Sequence, residues 1–245
     1  MSQILVIGET CLDIFVYCEA SRLAPDLPVP VLSRLHEVSN PGMAKNVQLN
    51  LQALGIECDL FTNETWKSVT KTRYVHEATN HMFLRVDTSH EIEPLEALPD
   101  LDDYDAVVIA DYDKGFLSRE QIAEICTNHE MVFLDTKKPL GSWAVNARFI
   151  KINDFEYNRS LPLHPPELET KLIHTLGAGG AEFRGKTYEV EPAEIKDSSG
   201  AGDAFMAAFV SKFLQNEDVH ESIVFANKCA SGVVRKKGVT VIELD

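Results

Sequence analysis

The chain is short of basic residues. Against 38 Asp and Glu it carries 23 Lys and Arg, a net charge of −15, and a surface of that sign repels nucleic-acid phosphates and anionic lipid. A nucleic-acid or membrane partner is therefore not expected. Any site for a phosphorylated ligand has to be a local island of cations or a set of backbone N–H groups. Cysteine is sparse as well: Cys11, Cys18, Cys58, Cys126 and Cys229 are odd in number and scattered, with no C-x-x-C. That speaks against a disulfide framework or a structural zinc site and suits reduced thiols in a cytoplasmic protein. No apolar run approaches the roughly 18–20 residues of a membrane span. No Lys/Arg-headed apolar segment opens the chain, and no G-x-x-x-x-G-K-[ST] loop occurs.

What is present is an ordinary globular composition of 245 residues, 44% hydrophobic and 25% charged, which suits one large domain with a sizeable core. Ile4 to Ile7 is a continuous apolar run ending at Gly8, as expected of a strand buried on both faces of a parallel sheet. Open α/β sheets bind ligands beyond the carboxyl ends of such strands, and there the sequence places Glu9 and Asp13. Ile14 to Tyr17 and Val29 to Leu35 read as β segments that leave the main sheet, separated by the Pro-containing stretch 24–30. Asn40-Pro41-Gly42 reads as a turn. Ala44, Val47, Leu51 and Leu54 then recur at helical spacing until Gly55. A second β patch, 70–86 with a hairpin turn at Thr79-Asn80-His81, pairs with the first excursion as a small lid over about residues 14–38 and 70–87.

The runs 106–109, 132–134 and 149–152 read as further buried strands, with a helix near 118–128. A strand and hairpin follow over 172–190, then helices over about 202–215 and 219–235. Strands alternating with helices indicate an α/β domain with a mostly parallel sheet.

The strongest local signal is Asp197-Ser198-Ser199-Gly200-Ala201-Gly202-Asp203, running into an apolar helix. Small residues at a helix start let successive N–H groups converge on an anion at the positive end of the helix dipole. Asp203 then lies where a carboxylate can take the proton of an attacking alcohol. In this longer context the segment resembles the C-terminal signature of the PfkB, or ribokinase-like, carbohydrate kinases. The resemblance implies a three-layer α/β/α fold, Asp203 as general base and Gly200, Ala201 and Gly202 as the anion hole.

Other segments extend it. Asn153-Asp154-Phe155-Glu156 is similar to the family's N-x-x-E, implying that Asn153 and Glu156 organise Mg²⁺, through water, and the ATP phosphates. Thr175-Leu176-Gly177-Ala178-Gly179-Gly180 resembles its nucleotide-contacting T-x-G-x-x-G, which implies nucleotide contacts for Thr175, Gly177 and Gly180. The dinucleotide reading of those glycines fails because a hairpin follows them, with Arg184-Gly185-Lys186 as its turn, rather than a helix. Asn227 and Gly238 fall in the region that resembles the adenine pocket. Gly8 to Asp13 and Asn40 to Val47 resemble the sugar-binding elements, implying that Asp13, Gly42 and Asn46 hold sugar hydroxyls.

Residues 21–31 and 111–115, with 70–75 and 83–87, look like stretches of the bacterial heptose 7-phosphate kinases of ADP-heptose synthesis. In that setting Lys114, Arg73 and Arg85 are candidates for the cationic island. Two departures stand out. Met43 replaces the family's usual second Gly, which is expected to narrow or redirect the sugar pocket. Residues 61–66 pass almost directly into the lid, omitting a helix-and-strand unit and leaving a sheet edge open to a partner strand or a homodimer. Cys11, Cys229, His76 and His81 lack a matching acid–base or ligand constellation. The expected function is ATP- and Mg²⁺-dependent phosphorylation of a sugar or sugar phosphate. Two rival readings are a kinase of another small sugar or nucleoside and a non-catalytic sugar- or nucleotide-binding protein of the same fold.

Overall fold

A computed structural model of the chain describes residues 3–88, 92–161 and 165–243. In chain order the strands are β1 (Ile4–Gly8), β2 (Thr10–Leu23), β3 (Pro30–Met43), β4 (Cys58–Phe61), β5 (Thr70–His76), β6 (Met82–Asp87), β7 (Ala106–Asp111), β8 (Val132–Thr136), β9 (Phe149–Asn153), β10 (Leu172–Thr175), β11 (Ala181–Phe183) and β12 (Lys186–Tyr188). The α-helices are α1 (Ala44–Ala53), α2 (Arg119–Asn128), α3 (Asp154–Ser160), α4 (Ala201–Asn216) and α5 (Val219–Val233).

The larger sheet runs β12-β11-β10-β9-β8-β7-β1-β4. From β4 to β10 every pairing is parallel, and the β11–β12 hairpin adds two antiparallel strands. Alternation along each strand sends side chains to opposite faces. Ile4, Val6, Val108 and Phe133 meet α1, α4 and α5 on one side, while Leu5, Ile7, Ile109 and Leu134 meet α2 on the other. This is a helix–sheet–helix sandwich. Its aromatic centre is Phe133, Phe149, Phe209 and Phe213, with ring centroids 5.0–6.2 Å apart, and each such burial stabilises by about 2–3 kcal/mol. Ser118 and Gln121 close a capping box at the start of α2, which fixes where that helix begins.

The smaller sheet, β3-β2-β5-β6, leaves the main body as a lid. It reaches further than its sequence suggests, because β2 starts at Thr10 and β3 continues to Met43. Residues Asn40, Pro41 and Gly42 are consequently strand, opposite Asp13, Leu12 and Cys11, and not a turn. Pro-Gly punctuates most chains, but β3 is an edge strand, where a residue without an N–H costs no ladder bond. At the other hairpin, Asn80 takes a positive φ of 56°, as the turn there requires.

β4 occupies the edge of the main sheet, and the chain passes from it to β5 through residues 62–69. Asn63 secures this short connection: its side-chain oxygen accepts the Thr10 N–H at 2.8 Å.

Candidate active site

The lid and the main sheet meet where β1 gives way to β2. Glu9, fully buried, accepts the N–H groups of Tyr112, Lys114 and Phe116 at 2.7, 2.9 and 3.4 Å. It braces the loop after β7 and is closed off from solvent. Asp13, two pleats further along β2, is also buried. Its carboxylate accepts a hydrogen bond from Arg73 on β5, whose guanidinium lies 5.1 Å from the Phe15 ring. A Cβ on Gly42 would stand 2.0 Å from the Asp13 carboxylate oxygen, so only glycine lets β3 pass this close to the acid.

Met43 follows with φ 59° and ψ −133°, a conformation normally left to glycine. Its side chain does not protrude into an open pocket. It is buried at 2% exposure, in the same core cluster as Leu5, Ile7 and Cys11.

Asn46, on the first turn of α1, donates from Nδ2 to Asp203 Oδ2 at 2.8 Å. The other carboxylate oxygen of Asp203 accepts from the hydroxyl of Tyr112. Asp203 is 4% exposed. Burial pushes its carboxyl group above the usual range, and the Asn46 and Tyr112 hydrogen bonds pull partly the other way. The acid thus points at polar groups shared by both halves of the molecule, not into packed hydrocarbon.

Gly200, in the left-handed region at φ 81°, starts α4 without a side-chain cap. Side-chain caps close α2, α3 and α5, whereas α1, entered from Met43, lacks one as α4 does. The Ala201 N–H donates to the Ser198 carbonyl at 3.3 Å, and the next amides, of Gly202 and Asp203, lie at the positive end of the helix where an anion is favoured. Behind them Lys151 on β9 pairs with Asp135 at 2.5 Å, and its ammonium lies 3.0 Å from where a Cβ on Gly202 would be. One oxygen of Asp135 is buried without a hydrogen-bond partner.

A pocket of about 280 Å³ adjoins this helix start, lined in part by Thr175, Gly177, Gly180, Gly202, Phe205 and Asn227. The Asn227 amide holds the Tyr188 carbonyl at 2.8 Å. Gly180 passes so close that a Cβ would lie 2.0 Å from the same carbonyl oxygen. Asn153 also lines the pocket and forms a reciprocal capping box with Glu156 at the start of α3. Glu156 is ion-paired to Lys137. Burial alone would lower the Lys137 ammonium, but Asp135 and Glu156 outweigh it and hold it above its ordinary value.

The structure brings together Asp13, Gly42, Asn46, Arg73, Gly200, Ala201, Gly202 and Asp203 on one side, and Asn153, Glu156, Thr175, Gly177, Gly180 and Asn227 on the other. Three expected residues stand apart. Gly238 lies under the lid against Phe15 and Tyr17, outside the lining of the pocket. Arg85 is half-exposed and paired with Asp87 at 2.8 Å. Lys114 is exposed, and its backbone N–H serves Glu9.

Sequence reading missed Tyr112, Lys71, Lys137 and Lys151. Lys71 stands opposite Asp13 in the β2–β5 register, with its ammonium 5.0 Å from the Tyr112 ring and no carboxylate partner among the described residues. A period-2 count from Arg73 along the strand reaches Lys71. Lys137 and Lys151 carried no local signal, because their acidic partners are 19 and 16 residues away. Cys11 is fully buried beside Asp13, and burial pushes its thiol up to about 12, which makes it inert.

A sequence profile of the pfkB family of carbohydrate kinases matches residues 50–244. The bifunctional protein HldE of Helicobacter pylori (strain Shi470) is 27% identical over 305 aligned positions, covering 100% of this chain and 65% of that protein. The chain thus spans about 65% of the length of that relative. The alignment is longer than the chain, so the relative carries segments that are missing here. Among solved structures, a ribokinase from Thermotoga maritima superposes with a TM-score of 0.75 at 15% identity, covering 98% of this chain and 95% of that one. The Arabidopsis thaliana ribokinase complexed with ribose and ATP gives 0.70 at 14%, covering 99% and 96%. The fold is ribokinase-like, and with the profile matched over most of its length the chain belongs to the pfkB family of carbohydrate kinases, phosphotransferases that act on a hydroxyl acceptor.

Proposed function

We propose that the chain transfers the γ-phosphoryl group of ATP to a sugar phosphate, a heptose 7-phosphate-like acceptor, at its anomeric hydroxyl. The observation that carries this reading is the buried carboxylate of Asp203. It is joined to Asn46 of the acceptor half and set in the first turn of α4, beside the 280 Å³ pocket. Asp203 takes the proton of the acceptor hydroxyl. The N–H groups of Gly200, Ala201 and Gly202 stabilise charge on the transferring group, helped by Lys151 behind them. Asp13, Gly42 and Asn46 orient the sugar, and a sugar lacking the matching hydroxyl leaves their buried polar atoms unpaired.

The nucleotide fits the residues present: Thr175, Gly177, Gly180 and Asn227 shape a largely apolar recess of the kind that takes a base, opening onto an uncapped helix start. ATP supplies the phosphoryl group. Asn153 and Glu156 would hold Mg²⁺ through water, where the ion neutralises phosphate charge. Lys71 and Arg73 are the cations at the acceptor side, so they meet the sugar's phosphate in place of the more remote Lys114 and Arg85. The motif resemblance and the HldE relatives favour a heptose over another sugar or a nucleoside, and only the kinase step is proposed.

The lid's edge strand β6 exposes Met82, Leu84 and Val86 at 46–51%. That apolar edge supports a homodimer through the lid, which sedimentation velocity tests directly.

The deciding experiment measures ATP consumption over a panel of sugars and sugar phosphates, with Asp203→Asn as control. Turnover confined to a heptose phosphate and lost in the variant supports the full reading. Turnover on another sugar or a nucleoside replaces the acceptor. Binding without turnover in the wild type leaves a non-catalytic binding protein.

A further inference from the structure

Tyr112 touches both sides of the site, and the motif reading of residues 111–115 gave it no role. It sits in the loop after β7, and Glu9 fixes its backbone N–H at 2.7 Å. Its hydroxyl donates to Asp203 Oδ1. Two ammonium groups flank its ring, Lys71 of the lid at 5.0 Å and Lys137 beyond β8 at 5.1 Å. An aromatic face attracts a cation at such distances, so the ring is tied both to the lid through Lys71 and to the main sheet through Lys137.

The two donors on Asp203 have different prospects. Asn46 Nδ2 lies 2.8 Å from Oδ2, and Asn46 is also one of the residues expected to hold a sugar hydroxyl. When the acceptor arrives, that amide can turn to the sugar, leaving Oδ2 for the hydroxyl to be deprotonated. Tyr112 has no second partner among the described residues and keeps Oδ1.

Resting on the kinase reading above, we propose that Tyr112 is a positioning residue: it holds Asp203 by Oδ1 so that Oδ2 faces the acceptor, and Lys71 over its ring ties that alignment to the lid. A hydrogen bond donated to a carboxylate favours its ionised form, so the same contact keeps the base ready to accept a proton. The other groups facing Asp203 are Cys11 of β2, Asp135 of β8, Lys137, and Lys151 of β9. Burial holds the Tyr112 phenol well above its ordinary value, so it remains a donor throughout the working range.

The test compares wild type, Tyr112→Phe and Lys71→Met. Tyr112→Phe keeps the ring and both cation contacts and removes only the hydroxyl. The expected result is an acid limb of the kcat/KM profile moved to higher pH. Turnover below that limb should fall about ten-fold, the scale of a hydrogen bond to a charged group, with the nucleotide KM unchanged. Lys71→Met should lower kcat/KM for the acceptor and leave the acid limb of the profile in place.

A readout independent of turnover is the ¹³C titration of the Asp203 carboxyl carbon, assigned by its loss in Asp203→Asn. Its midpoint should rise in Tyr112→Phe. Superimposable titration curves for wild type and Tyr112→Phe overturn the inference even if the enzyme is active. A wild type with no turnover on any acceptor, yet with a shifted Asp203 titration in the variant, overturns the kinase reading and leaves the positioning contact standing.

Discussion

The two halves of the cleft are built from different materials. On the side proposed for the nucleotide the close approaches fall on small residues: Gly177, Gly180, Ala201 and Gly202 line the pocket among apolar side chains, and α4 starts there without a side-chain cap. On the acceptor side it is a web of side chains, Asp13 with Arg73, Asn46 with Asp203, and Tyr112 beneath Lys71. Backbone amides are available at any residue, so the first half needs only small residues that allow close approach. The second half depends on the identity of each side chain, and one change leaves a buried partner unmatched. A common phosphoryl donor suits the first design, and acceptor discrimination suits the second.

The largest expected effect is at the joint between the halves. Asp203→Asn should reduce turnover by about 10²–10⁴-fold, the range of general base catalysis, with nucleotide binding retained by calorimetry. It should also stabilise the protein at neutral and alkaline pH. An acid whose native-state pKa lies above its unfolded value loses stability as pH rises between the two, and burial places Asp203 in that class. The gain in melting temperature should therefore shrink as the pH is lowered. A variant less stable than wild type at pH 8 contradicts this.

Asp13→Ala sharpens the side-chain half of the contrast. Arg73 would keep its charge, with a side chain only 13% exposed, and lose its carboxylate, a change that costs about 3 kcal/mol when a buried pair is broken. Acceptor KM should rise steeply while the ATP KM stays put, and parallel changes in both would erase the distinction. Gly180→Ala probes the backbone half. Its methyl would collide with the Tyr188 carbonyl, so nucleotide affinity should drop about ten-fold or more, with acceptor affinity preserved in direct binding measurements.

The smallest effect is the most diagnostic of local strain. Met43 holds a glycine conformation but fills core space. Met43→Ala should lose the packing and keep the strain, whereas Met43→Gly loses the packing and relieves about 1–3 kcal/mol of strain. Melting temperatures should rank wild type, then Gly, then Ala. In ordinary strand or helix interiors Ala exceeds Gly, so the usual order would mean that the position is unstrained.

Legibility followed the same division. The 197–203 segment could be read because its small residues are contiguous, and Asn153 with Glu156, Asp13 and Asn46 because each falls in a short motif that resembles the family's. Lys151 and Asp135, or Tyr112 and Asp203, could not, because nothing within a strand or loop announces a partner 16 or 91 residues away. Gly238 illustrates the converse error: its place in the chain suggested the nucleotide pocket, yet the final turn carries it beneath the lid, where Val239 packs with Phe15 and Tyr17. Pro41 reads as a breaker until the sheet shows it on an edge strand.

The order of apolar runs and the small-residue turns determined the parallel sheet and the glycine start of α4, since burial periodicity and glycine geometry act over a few residues. Only the tertiary structure decided which charges meet. It paired Arg73 with Asp13, placed Tyr112 on Asp203, buried Met43 in the core and set Lys71 above the Tyr112 ring. Ion pairs and hydrogen bonds are fixed by distances of about 3 Å, and those distances exist only after distant strands have been brought into register.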